Sequence, residues 1–200
     1  MRVLGISGAP KKKGFTNLLL DEALDGARAG GALTDKIILN DLNFKSCQEC
    51  GGCDETGACA LSDDMEAIYK KLQEVDAFIV ASPIYFGNLT AQLKAMIDRC
   101  HCLWVKKYVL KNNKVPANKP SASPRGERQG IFICVAGKEN KEYFESAGKV
   151  IKIFFITTNI EYTGELFVDG LNDITANSPK LKEALLKSYE LGLSLGKPKN

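Results

Sequence analysis

The sequence predicts an α/β domain: a doubly wound five-stranded parallel sheet in the order 2-1-3-4-5, with helices on both faces. Three observations predict it. Strand-like and helix-like segments alternate along the chain without interruption, which favours parallel strands joined by crossover helices. The central strand candidates are near-continuous apolar runs, as expected for strands covered on both faces. The length, 200 residues, suits one domain (1–200) with a few long loops.

The elements follow in order. Residues 2–7 (RVLGIS) form an apolar first strand. In residues 16–29, Leu19, Leu20, Ala23, Leu24 and Ala27 recur at helical spacing. Residues 36–39 make a short second strand. Residues 63–75 are helical, with Met65, Ile68 and Leu72 on one face, and residues 77–81 are a buried third strand. A helix over 90–103, a fourth strand over 130–136, a helix over 142–155 and a fifth strand within 159–168 continue the rhythm. A helix over 180–195 closes it, with Leu181, Leu185, Tyr189 and Leu193 facing inward. Two segments break the pattern: a cysteine-rich loop over 43–62 and a Lys-, Asn-, Pro- and Ser-rich excursion over 104–128. The excursion reads as a mobile surface segment, or as a lid or arm that packs on another subunit.

A net charge of +3 and a hydrophobic fraction of 44% call for no nucleic-acid or membrane partner. No apolar run is long enough to span a bilayer. The N-terminus runs straight into a strand, so the expected location is the cytoplasm, a reducing compartment. There, seven cysteines point to metal, cluster or redox chemistry and away from disulfides.

The first strand leads into Ser7-Gly8-Ala9-Pro10-Lys11-Lys12-Lys13-Gly14-Phe15-Thr16-Asn17. A strand-to-helix turn of this kind aims backbone N–H groups and the helix dipole at an anion. Ser7, Thr16 and Asn17 can add donors, Gly8 and Gly14 permit close approach, and the lysines, Lys12 among them, add positive charge. The turn lacks both the Gly-Lys-Ser/Thr ending of a P-loop and the GxGxxG fingerprint, so a single phosphate monoester is the natural guest. Pro83, Ile84, Tyr85, Phe86, Gly87 and Asn88 follow the third strand, and Ala136 and Gly137 follow the fourth. In the order 2-1-3-4-5, strands 1 and 3 flank the switch point where ligands bind at the carboxyl edge. Tyr85 and Phe86 offer an apolar wall for an aromatic ring.

With these motifs the chain resembles the NAD(P)H-dependent FMN reductases, whose phosphate loop has the form GSPRxxGNT, and the likeness covers most of residues 1–137. Residues 82–88 and Leu93-Lys94-Ala95-Met96-Ile97-Asp98-Arg99 resemble that family's second flavin loop and following helix. The resemblance implies a flavodoxin-like fold and FMN as cofactor. The chain departs from the family form in having lysine after Pro10 and Phe15 before Thr16-Asn17.

Cys47, Cys50, Cys53 and Cys59 follow the spacing Cys-x2-Cys-x2-Cys-x5-Cys. Four ligands packed so closely are more like iron–sulfur ligation than the two separated knuckles of a zinc site. Zinc, or free reactive thiols, remain alternatives. Gly51, Gly52 and Gly57 let the loop curl. The run, with its trailing Asp63-Asp64-Met65, is similar to that of the iron–sulfur flavoproteins, a branch of the same family. That resemblance implies one [4Fe–4S] cluster and one FMN per subunit, with the cluster facing a neighbouring subunit's flavin. Because the loop follows strand 2, its thiols are expected at the same carboxyl edge as the flavin loops. Asp63 and Asp64 read as a helix N-cap. Cys100, His101 and Cys102 read as structural or subunit-contact residues, and Cys134 as core.

No general acid or base is expected, since His101 is the lone histidine. The function that follows is electron transfer between a reduced donor and an acceptor through FMN and a [4Fe–4S] cluster. NAD(P)H, ferredoxin or a quinone-like molecule are candidate partners. The alternatives are a cluster-free NAD(P)H-dependent FMN or quinone reductase, or a non-enzymatic carrier or redox sensor. A homodimer or homotetramer is expected, with the contact at residues 99–104 or 111–128, because Leu103-Trp104-Val105 is apolar and the related reductases associate.

Overall fold

In the computed structural model, the described residues are 1–110, 128–138, 141–171 and 178–196. Five strands form one sheet: β1 Arg2–Ser7, β2 Leu33–Ile38, β3 Ala77–Pro83, β4 Arg128–Val135 and β5 Ile160–Val168. Their order is β2-β1-β3-β4-β5, and every pairing is parallel. The helices are α1 Phe15–Ala29, α2 Met65–Glu74, α3 Ala91–Arg99, α4 His101–Trp104, α5 Lys141–Thr157 and α6 Pro179–Gly196. The expected doubly wound architecture is therefore the observed one.

Strand periodicity divides the interior into two cores. Val3, Ala77, Ile79, Ile131 and Ile133 face one side, against Leu19, Leu20, Ala23 and Leu24 of α1 and Ala184 and Leu195 of α6. Leu4, Ile6, Phe78, Val80, Phe132 and Cys134 face the other, against α2, α3 and α5. On the first side α1 and α6 approach closely. A Cβ on Gly26 would overlap the Tyr189 carbonyl, and one on Gly192 the Ala23 carbonyl. The Ser188 hydroxyl donates to the Leu19 carbonyl at 2.6 Å across the same seam.

Four elements differ from the sequence expectation. β2 begins at Leu33, because an edge strand tolerates Thr34-Asp35-Lys36. Lys36 pairs with Asp21 at 2.7 Å and Asp35 with Lys71. α2 begins only at Met65. The helix expected over 90–103 breaks at Cys100, whose ψ of 4° ends α3. α4 and a π turn over Val105–Val109 continue from there.

Arg128, expected to end a surface excursion, instead opens β4 and is buried. Its guanidinium donates to the carbonyls of Val75 (2.9 Å), Thr158 (3.2 Å) and Leu72, which close α2 and α5. It also lies 5.0 Å over the Phe78 ring. Burial lowers its pKa to about 10, so the charge persists at neutral pH and meets two helix C-termini. Residues 111–127 of the expected excursion lie outside the described residues.

Candidate functional site

The loop after β1 is fastened to β3 and α3. The Gly8 amide donates to the Ala81 carbonyl at 2.8 Å, and the Thr90 hydroxyl, the N-cap of α3, donates to the Gly8 carbonyl at 2.7 Å. A Cβ on Gly8 would stand 2.7 Å from the Leu93 Cβ, so only glycine allows this crossing. Ser7 is buried, and its hydroxyl accepts from the Ala9 amide at 3.2 Å. Asn17, expected as an anion donor, gives one Nδ2 hydrogen to the Lys11 carbonyl at 3.0 Å, closing the loop on itself, and the amide carries a second donor hydrogen. Its buried Oδ1 has no partner.

What remains for an anion is the first turn of α1. Gly14 is an extended N-cap without a side-chain bond, and the turn carries no acid. Among the described residues, the amides of Phe15, Thr16 and Asn17 find no acceptor. Lys11, Lys12 and Lys13 stand exposed beside them, with Lys12 paired to Asp41 at 2.8 Å. Free amides, the helix dipole and surplus positive charge fit a phosphate.

The loop after β3 is a tight hairpin. Tyr85 and Asn88 exchange backbone bonds of 2.9 and 3.0 Å, with Phe86 (φ 48°) and Gly87 (φ 73°) both left-handed at the turn. Left-handed phenylalanine is uncommon and costly, and here it holds the Phe86 ring entirely in solvent. The Asn88 amide bonds the Ser146 hydroxyl at 2.9 Å and so pins the hairpin to α5. A cavity of about 420 Å³ opens alongside, lined by Ile84, Phe86, Gly87, Ala136, Gly137, Lys138 and Tyr143. Five of the residues expected around a ring therefore share one cavity. Pro83 ends β3 beneath it, and the half-exposed Tyr85 is outside its lining. Tyr143 was not anticipated, because only the docking of α5 brings it against Gly87.

Cys47, Cys50, Cys53 and Cys59 line a second cavity of about 290 Å³, together with Arg99, His101 and Cys102. The loop reaches this shape by crossing itself. A Cβ on Gly52 would stand 2.5 Å from that of Ala60, so the return limb carries Cys59 back beside Cys50 and Cys53. Turn bonds from Asp54 to Gly51 (3.0 Å) and from Gly57 to Cys53 (2.8 Å) brace the tip. Burial and the Asp54 carboxylate push the Cys53 thiol up. Among the described residues, no three of His, Cys, Asp or Glu converge closely enough to grip one metal ion. Four cysteine thiols on one cavity are the kind of donor set an iron–sulfur cluster takes.

Arg99 holds the loop in place. It is buried at 1% exposure, so it is not the surface contact expected for residues 99–104. Its fork meets Asp63 at 2.6 and 3.1 Å and also donates to the carbonyls of Lys45 (2.8 Å) and Leu61 (3.3 Å). Both limbs of the loop are thus tied to the end of α3. Asp63 also accepts from the amides of Met65 (3.1 Å) and Lys45 (3.2 Å). The expected capping role is present, with an ion pair added. Desolvation, which would raise the Asp63 pKa, is outweighed by these hydrogen bonds, and the carboxyl stays below its ordinary 3.8. Tyr69 donates to the Arg99 carbonyl at 2.8 Å. Cys134 is core, its thiol pushed up to about 12 by burial. Cys100 is also buried.

Thr90, at the start of α3, meets the phosphate loop, whereas Arg99, at its end, meets the cysteine loop. The nine residues of α3 separate the two by about 13 Å. An adjoining groove of about 440 Å³ runs from Cys47 past His101 and Trp104 to Ile153 and Thr157 near the end of α5.

Comparison with known proteins bears on the family and the fold. The model of the family described as NADPH-dependent FMN reductase matches residues 1–137. An iron–sulfur flavoprotein of Methanosarcina thermophila is 39% identical over 130 residues, 65% of this chain and 66% of that protein. An iron–sulfur flavoprotein of Methanocaldococcus jannaschii is 40% identical over 129 residues, 64% of this chain and 66% of that protein. The matched region is just under two thirds of either relative's length. Among solved structures, an NAD(P)H:quinone oxidoreductase from Methanothermobacter marburgensis superimposes with a TM-score of 0.73 at 16% identity, covering 100% of this chain and 98% of that one. A flavone reductase gives 0.72 at 17%, covering 98% and 62%. At such identities these structures speak for the fold.

Removing one partner of a buried ion pair strands the other, at a cost of about 3–5 kcal/mol. Arg99→Met should lose stability on that scale in urea unfolding. Adding Asp63→Leu should recover part of it, with a coupling of about 0.5–3 kcal/mol. Strictly additive losses would contradict the pairing.

Proposed function

The chain belongs to the NADPH-dependent FMN reductase family, and on that premise we propose that it is an FMN-dependent oxidoreductase passing electrons between a reduced donor and an acceptor through FMN and a [4Fe–4S] cluster. The observation that carries this reading is the convergence of Cys47, Cys50, Cys53 and Cys59 on one cavity. Relatives named iron–sulfur flavoproteins support it. When bound, FMN exchanges one electron or two and the cluster exchanges one.

The chain's own part is to hold and orient. The free amides of Phe15, Thr16 and Asn17, with the Thr16 hydroxyl, would take the phosphate. The cavity between Phe86 and Ala136-Gly137 would take the ring, with the Phe86 and Tyr143 side chains as its aromatic rims. Asn88 and Ser146 keep the hairpin from folding into that space. Cys47, Cys50, Cys53 and Cys59 would hold the cluster, close enough to the surface for a partner to approach, since Cys47 and Cys50 are exposed. NAD(P)H, ferredoxin and quinone-like molecules are the candidate donors and acceptors.

The chain acts as a homo-oligomer in this reading. Trp104 and Ile153 are large apolar side chains left exposed in the groove beside Cys47, and Tyr108, Val109 and Ile156, on the same two segments of chain, are exposed as well. Such a patch suits a second copy, and a second copy there would bring its own flavin towards this cluster.

Two experiments test the reading. Thr16→Ala/Asn17→Ala removes a donor to a dianion and unfastens the loop from Lys11. Charge-assisted bonds are worth about 1.5–3 kcal/mol, so FMN affinity should fall at least about tenfold. Cys53→Ala should lose iron while keeping FMN. Unchanged affinity in the first variant, or a full iron complement in the second, contradicts the assignment of that loop. For the assembly, light scattering at micromolar concentration should give a dimer or larger for the wild type and a smaller species for Trp104→Glu/Ile153→Glu. A monomeric wild type overturns the oligomer.

A further inference from the structure

The Arg99 guanidinium does more than fasten the cysteine loop. It has five N–H groups. Nη1 serves the Lys45 carbonyl and Asp63, and Nη2 serves the Leu61 carbonyl and Asp63. That leaves the Nε–H, which is buried and has no acceptor. An unsatisfied donor on a buried cation is costly and rare in a folded protein. Arg99 also lines the cavity that receives the four loop thiols. Among those thiols, Cys59 lies two residues before Leu61, whose carbonyl the guanidinium already bonds, so the return limb carries its sulfur towards Arg99. A neutral thiol is a weak acceptor and a ligated thiolate a strong one. The Cys59 sulfur, in its cluster-bound form, is the acceptor that would satisfy the Nε–H.

We propose that the Arg99 Nε–H donates to the Cys59 sulfur of the bound cluster and that the guanidinium raises the cluster's reduction potential, with Asp63 setting how much of that positive charge the cluster feels. The inference rests on the cluster reading above. A cluster on four thiolates is anionic, and taking one electron from a donor adds a further negative charge while no bond forms or breaks. A buried cation alongside favours the reduced form more than the oxidised one, and hydrogen bonds to the sulfurs act in the same direction. Arg99 is thus a positioning and tuning residue, and the Asp63 carboxylate, bonded to the far edge of the guanidinium, is the opposing charge.

The test is a dithionite titration of anaerobically prepared protein, followed by electron paramagnetic resonance of the cluster, on wild type, Arg99→Lys and Asp63→Asn. Iron content and FMN content serve as controls for loading and folding. Arg99→Lys keeps a charge but loses the Nε donor, and its reduction equilibrium should move about tenfold towards the oxidised form, which is about 59 mV for one electron. Asp63→Asn keeps the guanidinium and removes its neutralising partner, so its equilibrium should move the opposite way. A purely structural clamp would shift both variants in the same direction or neither. An iron-loaded Arg99→Lys with the wild-type potential overturns the inference, as do shifts of one sign in both variants. If Arg99→Lys fails to load, Asp63→Asn decides alone, and an unchanged or lowered potential there overturns it. A wild type without iron overturns the cluster reading itself and this inference with it.

Discussion

The arrangement of the molecule depends on one buried contact, the fork of Arg99 on Asp63. A loop of some twenty residues with four cysteines has no strand or helix of its own between Asp41 and Met65. Its shape must be imposed from outside. Arg99 imposes it by bonding Lys45 on the outgoing limb and Leu61 and Asp63 on the returning one. A buried ion pair adds little net stability over an apolar replacement. What it adds here is geometry: two limbs fixed to one helix end, with the thiols between them facing a common space.

The same helix carries the other site. Its first turn is capped by Thr90, which reaches the carbonyl of Gly8, and Gly8 is in turn bonded to β3. α3 is therefore a strut with the phosphate loop at one end and the cysteine loop at the other.

Much of the fold was legible in the sequence because the signals were local. The apolar run of β3 marked a strand covered on both faces, and the cysteine spacing marked the loop whose thiols share a cavity. Ile84, Phe86 and Gly87 follow the third strand and Ala136 and Gly137 the fourth, and the parallel pairing of those two strands brings all five to one cavity. What escaped was set by tertiary contact. Arginines are rarely buried, so nothing local marked Arg99 or Arg128 as interior. Nothing local showed that the Asn17 side chain also bonds the Lys11 carbonyl. Tyr143 joins the cavity only because α5 packs there, and the π turn after Trp104 follows a helix broken at Cys100.

The central claim is that one chain carries both redox groups. The most direct measurement is the iron, acid-labile sulfide, zinc and FMN content of protein purified without oxygen. The account predicts about four irons, about four sulfides and about one FMN per chain, with no zinc. FMN without iron and sulfide, or zinc in their place, would contradict it.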